Sequence, residues 1–463
     1  MNKRIVVIGS GPGGYVAAIR AAQLGNDVWL IEEGSIGGTC LNIGCIPTKA
    51  LHHSAELYHT ARNGSSIGVV ADVRLDWPKA LENKANVVRK LTSGVEALLQ
   101  QNNVTLMRGH GTILPGKTVA VEGAESILDA DALVIATGSS NVELRFPGYD
   151  LPGVINSTDA LSLDEIPNTM LIVGAGAVGV EFASLYSLLG TKVTLVEMEN
   201  DILPLMDQQI TKALRLSLKK QGVTIYTGAR MASASQDEIG IYAHVETANG
   251  EPTVIYCEKL LVGVGRRANT VGLGLEGLTG KESIDLTDQG DIRVDANFQT
   301  SHPGIYAIGD CNGFSMLAHA ASAQGITAVE HIMGMDSHFR ADVIPNCVYT
   351  LPELASIGIT EEEAKAQGLA YKTGVFRLTN NGKTLIEKSS GMIKLIADAE
   401  TRRVLGAHLF GPRVTDMIAE VALCMQMGGT VDDIAHTIHA HPTISESVGE
   451  AAMAVFGHAI HSV

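Results

Sequence analysis

Apolar runs along this chain are short, and glycine interrupts them at regular places. Ile5-Val6-Val7-Ile8 reads as a short buried strand. It runs into Gly9-Ser10-Gly11-Pro12-Gly13-Gly14, after which a helical pattern extends from Tyr15 to Leu24 and stops at Gly25. Val28-Trp29-Leu30-Ile31 reads as a second strand, ending at Glu32. The pattern predicts a βαβ unit.

The same unit recurs. Leu171-Ile172-Val173 leads into Gly174-Ala175-Gly176-Ala177-Val178-Gly179, a helix runs to Leu189, and Val193-Thr194-Leu195-Val196 ends at Glu197. Gly9, Gly11, Gly14, Gly25 and Glu32 fall on Gly174, Gly176, Gly179, Gly190 and Glu197 at a constant offset of 165 residues. A lone G-x-G-x-x-G is weak evidence. Two that each follow a strand, open a helix and precede an acidic residue at the right distance are strong evidence of dinucleotide binding. The first glycine allows the tight turn, the second lets backbone approach a pyrophosphate, and the third lets helix and strand pack closely. The pyrophosphate sits at the positive end of the helix. Glu32 and Glu197 would accept hydrogen bonds from ribose hydroxyls. Glu197 would repel a 2′-phosphate, and Met198-Glu199-Asn200-Asp201 supplies no arginine, so the second site should prefer NAD to NADP.

Two further strands end in turns, at Asp131 to Gly138 and at Ile305 to Asp310. Asp310 at a strand's C-terminal end could reach a ribitol hydroxyl. An N-cap of the next helix is a competing reading on local grounds.

Composition fits this picture. The 463 residues suggest roughly three domains at ~100–200 residues each. Glycine is in surplus, 50 residues against about 32 expected at ~7%. There is no G-X-Y period, so collagen is excluded. Net charge is −16 with a pI near 5.4, and no basic patch marks a nucleic-acid binder. No apolar run approaches the ~18 residues of a membrane span. The N-terminal apolar run stops at Gly9, too short for a signal peptide. Six cysteines in a chain of this length are no disulfide scaffold, which points to the cytoplasm.

Only Cys40 and Cys45 are close in sequence, within Gly37-Gly38-Thr39-Cys40-Leu41-Asn42-Ile43-Gly44-Cys45-Ile46-Pro47-Thr48-Lys49. They could form a disulfide if backbone brings their Cα atoms to about 4.4–6.8 Å. A helix start around Cys40 could do this, and its N-terminus would stabilise a thiolate. A zinc half-site and two buried thiols are the alternatives. No second Cys or His pair has the spacing for zinc, which argues against the first.

This segment resembles the redox-active disulfide motif of the pyridine nucleotide–disulfide oxidoreductases. Leu41, Asn42 and Pro47-Thr48-Lys49 bring it closest to the branch that oxidises dihydrolipoamide. The resemblance covers essentially the whole chain. It extends through Ala136-Thr137-Gly138, Gly263 to Arg267, Gly304 to Asp310, Met316 to His319, and His439-Ala440-His441-Pro442-Thr443-Ile444-Ser445-Glu446.

The resemblance implies an α/β fold of two Rossmann-like domains, for FAD and NAD, and a C-terminal α+β dimerisation domain. The expected divisions are 1–149 (FAD, first part, with the redox disulfide), 150–269 (NAD), 270–342 (FAD and central region) and 343–463 (dimerisation). It implies that Cys40 exchanges with the dithiol, that Cys45 lies against the flavin, and that His441, oriented by Glu446, is the acid/base. From residues alone, the His441 segment would be a histidine-rich helix start, since His436 and His439 lie close by. Around FAD it implies Thr39, Lys49, Gly111, Thr137, Gly138, Asp310 and Ala318, besides Gly9, Gly11, Gly14 and Glu32. Around NAD it implies Gly174, Gly176, Gly179, Glu181, Glu197 and Gly265, with Glu181 paired to Lys49. Composition alone would make Lys49 a solvated helix lysine and Glu181 an N-terminal helix charge. No metal is implied.

The implied reaction is oxidation of protein-bound dihydrolipoamide with NAD. The implied partners are a second copy of the chain, a lipoyl-bearing protein and the acyltransferase core of a multienzyme complex. A glutathione-type reductase would want basic residues after Glu197, and a mercuric reductase would want a further C-terminal cysteine pair, but no cysteine follows Cys424. A diaphorase or docking subunit of a 2-oxoacid dehydrogenase or glycine cleavage complex is the other reading. Leu351, Ala320 and Asn381-Gly382-Lys383 depart from the family pattern.

Overall fold

The computed structural model describes residues 2–125, 127–336 and 338–462. The strand Arg4–Ile8, buried beyond its first residue, lies in parallel between Asp27–Glu32 and Ala132–Ile135. Ile305–Ala307 and Thr105–Arg108 complete a five-stranded parallel sheet at its two edges. An unbroken run of Ile and Val suits this place because helices or loops cover both faces of a parallel sheet. The helix after the glycine turn spans Pro12–Gln23, starting earlier than the Tyr15 expected from the pattern. Pro12 explains this, since its fixed φ and missing N–H cost nothing in the first turn.

The second unit builds a separate five-stranded parallel sheet in the order Thr224–Tyr226, Lys192–Val196, Thr169–Val173, Lys259–Val262, Val154–Ile155. Its helix spans Ala177–Leu189 and closes on Gly190 in the left-handed region, φ 100°. Ser139–Asn141 and Arg266–Ala268 pair antiparallel where the chain passes between the two sheets.

From Asn346 the chain forms an antiparallel sheet in the order Asn346–Val348, Glu353–Gly358, Val404–Gly411, Met392–Asp398, Tyr371–Arg377. The helices Val414–Gln426 and Glu446–Ala454 cover it with an apolar core that includes Ile393, Leu409, Val421 and Val448. Lys394 on this sheet is buried and reaches Asp207, the N-cap of Gln208–Lys220 in the second unit, at 2.7 Å. Glu361 meets the same ammonium at 2.7 Å.

Candidate active site

The cysteine segment begins where Gly37 N–H donates to Ser10 O of the first glycine turn at 3.0 Å. Gly37 has φ 89° and Gly38 has φ 57°, which suits glycine. A five-residue helix, Gly38–Asn42, carries Cys40 at its centre. That is the helix start expected around Cys40, and a second follows it: Cys45 is the first residue of Cys45–Arg62, capped by Gly44, so a longer helix end faces Cys45. The pair is present as two thiols linked by a side-chain hydrogen bond. That bond from Cys40, with help from Lys49 and against burial, lowers Cys45 to about 7, while Cys40 is pushed up by the same bond and by burial. The helix start and the Lys49 ammonium both favour negative charge on Cys45 when the pair is reduced.

One turn further along, Lys49 Nζ bonds Glu181 Oε2 at 2.8 Å. Glu181 is buried and also accepts the Tyr349 N–H at 3.0 Å. The Tyr349 ring stands 4.5 Å from the ammonium. Three distant parts of the chain thus fix one charged pair beside the thiols.

These groups line a cavity of about 1690 Å³. Gly9, Gly11, Glu32, Thr39, Gly111, Thr137, Gly138, Asp310 and Ala318 line it too. The residues fit a flavin dinucleotide. A Cβ added at Gly11 would meet no protein atom, so the space above that backbone is open toward the cavity. At Gly14 it would lie 1.8 Å from Gly9 O, as a strand–helix contact requires. Glu32 accepts Ser10 N–H at 2.7 Å and Gly34 N–H at 2.7 Å beside that opening. Asp310 sits in a turn at Gly309–Asn312, accepts the Ser139 hydroxyl, and caps no helix; Leu317 caps the next one.

Of the second unit, Glu181 lines this cavity with Ala177, Val178 and Phe182. Gly174, Gly176, Gly179, Glu197 and Gly265 lie outside its lining. Glu197 accepts Ala175 N–H at 2.5 Å and Glu199 N–H at 2.8 Å. A Cβ at Gly176 would meet nothing, so this turn too is open for a phosphate.

His441 Nδ1 lies 2.9 Å from Glu446 Oε1, while Thr443 N–H donates to Glu446 Oε2 at 2.8 Å. Burial opposes ionisation of Glu446, but the Thr443 N–H and then His441 take it below the usual carboxylate range. The His441 side chain is 80% exposed and is not part of this chain's cavity lining.

Several lining residues escaped the sequence reading. Arg266 donates to Ser139 Oγ at 2.7 Å and Asn141 Oδ1 at 2.9 Å; burial lowers its pKa, and Asp310 stands 4.0 Å away. Tyr349, Cys347 and His110 also line the cavity. The Gly263-Val264-Gly265-Arg266 motif was the available signal for Arg266; His110, Tyr349 and Cys347 had none. Of the departures, Ala320 is buried, Leu351 N–H bonds Ser184 Oγ at 3.2 Å, and Lys383 pairs with Glu387 at 3.4 Å.

The fold and thiol pair define a nucleotide-binding disulfide oxidoreductase, and comparison with known proteins agrees. The pyridine nucleotide-disulphide oxidoreductase family matches residues 3–325, and its dimerisation domain matches residues 344–452. The chain belongs to this family. It is 43% identical to a dihydrolipoyl dehydrogenase of Bacillus subtilis, over 99% of this chain and 98% of that one. It is 42% identical to a dihydrolipoyl dehydrogenase of Thermus scotoductus, over 99% and 98%. The crystal structure of LpdA from Mycobacterium tuberculosis superposes with a TM-score of 0.90 at 28% identity, covering 97% of this chain and 99% of that one. Family membership implies FAD and NAD(H), and the dimerisation domain supports a homodimer. No helix among the described residues is long and apolar enough to cross a membrane.

Proposed function

We propose that this chain oxidises dihydrolipoyl groups with NAD+ as the final acceptor. The observation that carries the reading is the thiol pair, with Cys45 at a helix start and beside the Lys49–Glu181 ion pair. The identity with dihydrolipoyl dehydrogenases over nearly the full chain selects the dithiol.

With the pair oxidised, His441 Nε2 takes a proton from one substrate thiol, and Glu446 on Nδ1 stabilises the imidazolium. The substrate thiolate attacks Cys40 Sγ, breaks the Cys40–Cys45 bond and frees Cys45 as a thiolate. The second substrate thiol then attacks the sulfur joined to Cys40, breaks that mixed disulfide and gives its proton to the departing Cys40, so the substrate leaves as a cyclic disulfide, Cys40 as a thiol and Cys45 as a thiolate. Two electrons and the pair's reduced sulfurs remain on the protein. A flavin held in the cavity would supply the two-electron acceptor for the reduced pair and the donor to the nicotinamide. Lys49 and the helix end hold negative charge at Cys45 during the wait.

Gly9, Gly11, Gly14, Glu32, Thr39, Gly111, Thr137, Gly138, Asp310 and Ala318 hold the flavin; Gly174, Gly176, Gly179, Glu197 and Gly265 hold the nicotinamide dinucleotide. We divide the chain into 1–149 for the flavin, 150–269 for the nicotinamide dinucleotide, 270–342 for the return to the flavin and central region, and 343–463 for dimerisation. The exposure of His441 supports its serving the cavity of a second copy. A lipoyl-bearing protein docked on an acyltransferase core delivers the substrate. The low cysteine content supports the cytoplasm.

Replacing Cys45 tests the disulfide relay. Cys45→Ser should abolish dihydrolipoamide turnover while the protein keeps its flavin spectrum. Retained turnover refutes the reading. His441→Gln should lower turnover roughly 10²–10⁴-fold, the scale of a positioned acid/base.

A further inference from the structure

His110 makes two hydrogen bonds whose partners can only accept. Nδ1 stands 2.6 Å from Glu33 Oε2, and Nε2 stands 2.9 Å from Gly272 O. A neutral imidazole has one N–H and can make one of these bonds as a donor; only the imidazolium makes both. The ring therefore joins the segments of Glu33 and Gly272, 77 and 162 residues from it along the chain, and it does so fully only when charged.

The place matters. Glu33 follows Glu32, whose carboxylate is set for the ribose of the adenosine half of the first dinucleotide. Glu33, Gly34, Gly109, His110, Gly111, Thr270 and Val271 lie together at the cavity wall. The segment from Thr270 to Gly274 crosses this end. Ile113 N–H bonds Leu273 O at 2.8 Å, Gly272 and Gly274 have φ near 80°, and Val271 is 89% exposed. His110 is the side chain that ties this segment back to the strand end carrying Glu32.

We propose that His110, as an imidazolium bridging Glu33 and Gly272 O, is a latch that retains the adenosine end of the flavin dinucleotide. Flavin release then quickens as the pH rises and the ring loses its second proton. The inference rests on the flavin reading of the cavity.

The charges around the ring favour the latched form. Glu33 faces it from just beyond Asp27–Glu32, and Glu122 from beyond Thr118–Val121; its own strand end carries the opposing charge of Arg108, which donates to Gly34 O at 2.8 Å. The segment Thr270 to Leu273 brings no titratable group. The Gly272 carbonyl first, then Glu33, raise the His110 pKa. For a histidine whose bound-state pKa is raised, the contribution is complete below about 6.5 and is lost as pH rises through the raised value.

The test follows flavin release from the purified holoprotein by the gain of free-flavin fluorescence between about pH 6 and pH 9, in wild type, His110→Gln and Glu33→Gln. Wild type should release flavin roughly tenfold faster at the alkaline end, and both variants should release at the fast rate throughout. A release rate independent of pH in wild type overturns the latch, as does unchanged pH dependence in both variants. Should one variant not fold, the other decides. Protein that purifies with no flavin under any condition instead refutes the reading of the cavity.

Discussion

In the first glycine turn, Ser10 N–H and Gly34 N–H donate to Glu32; in the second, Ala175 N–H and Glu199 N–H donate to Glu197. The residues correspond one for one at the same offset of 165. Gly9 N–H and Gly174 N–H each bond the next strand at 2.8 Å, and the third glycine of each turn comes equally close to the first. The backbones are alike, but their surroundings differ. The first turn lines the large cavity from Gly9 to Gly13, with the cysteine segment hung on Ser10 O; the second contributes to that cavity only from Ala177 onward. One motif thus yields two kinds of site. The wrapped one suits a dinucleotide that stays, and the open one a dinucleotide that exchanges.

Alanine at the glycines should separate the two sites, and this is the largest effect we expect. Gly14→Ala and Gly179→Ala each set a Cβ 1.8 Å from a carbonyl oxygen, so strand and helix must part. Gly14→Ala should give protein without flavin. Gly179→Ala should keep flavin and its reduction by dihydrolipoamide while NAD+ reduction falls about 100-fold, about 2.7 kcal/mol and within the cost of overpacking. Gly11→Ala and Gly176→Ala meet no protein atom. They should weaken flavin retention and raise the KM for NAD+, respectively, without loss of melting temperature. Equal flavin loss from Gly14→Ala and Gly179→Ala would break the distinction; absorption spectra and stopped-flow reduction decide it.

The parts of this site legible in sequence are those whose partners are near in the chain. Strand, glycines, helix and acid sit within about thirty residues, so spacing alone exposes both turns. His441 and Glu446 are five residues apart. Glu181 and Lys49, 132 residues apart, came only through family resemblance. The second helix start, at Cys45 and in addition to the one around Cys40, depends on how Gly44 turns the chain, which local propensity does not encode. His110, Tyr349 and Arg266 act through partners 77 to 168 residues away. No period reports such pairs, and the motif around Arg266 marks that residue without its partners; packing alone supplies them. The buried Lys394, set among apolar residues from Met392 to Ala397, was equally silent.

That lysine marks a second difference, in how each unit is anchored. The second is tied to the C-terminal sheet through Lys394, whose side chain is 2% exposed, and Asp207 at 0%. Lys394→Met strands the fully buried Asp207 carboxylate and leaves Glu361 to Lys365 alone; it should cost about 3–5 kcal/mol in unfolding free energy, the usual penalty for breaking a buried pair from one side. Acid should act in the same direction. Lys365 and then Lys394 hold Glu361 down at about 2 against an ordinary 4.5. A carboxylate lowered in the folded state adds stability that is present above the unfolded value and lost as pH falls. The loss should therefore run from about pH 4.5 toward pH 2, and Lys394→Met should flatten it. Denaturant unfolding at a series of pH values measures both.

The first unit is anchored by close helix packing. A Cβ on Gly325, in Ala318–Ile332, would lie 2.7 Å from Gly13 O, so the two helices touch backbone to backbone. An ion pair accompanies this contact, Arg20 to Glu330 at 2.6 Å, but the arginine side chain is 31% exposed and its charge stays partly hydrated. Arg20→Met keeps the stem that covers the helix and removes only the charge. It should cost no more than about 1 kcal/mol, as exposed pairs do, and should leave flavin content unchanged. A loss as large as that of Lys394→Met would mean that charge, and not backbone approach, holds the first unit in place. Denaturant midpoints of the two variants, measured side by side, decide between these anchors.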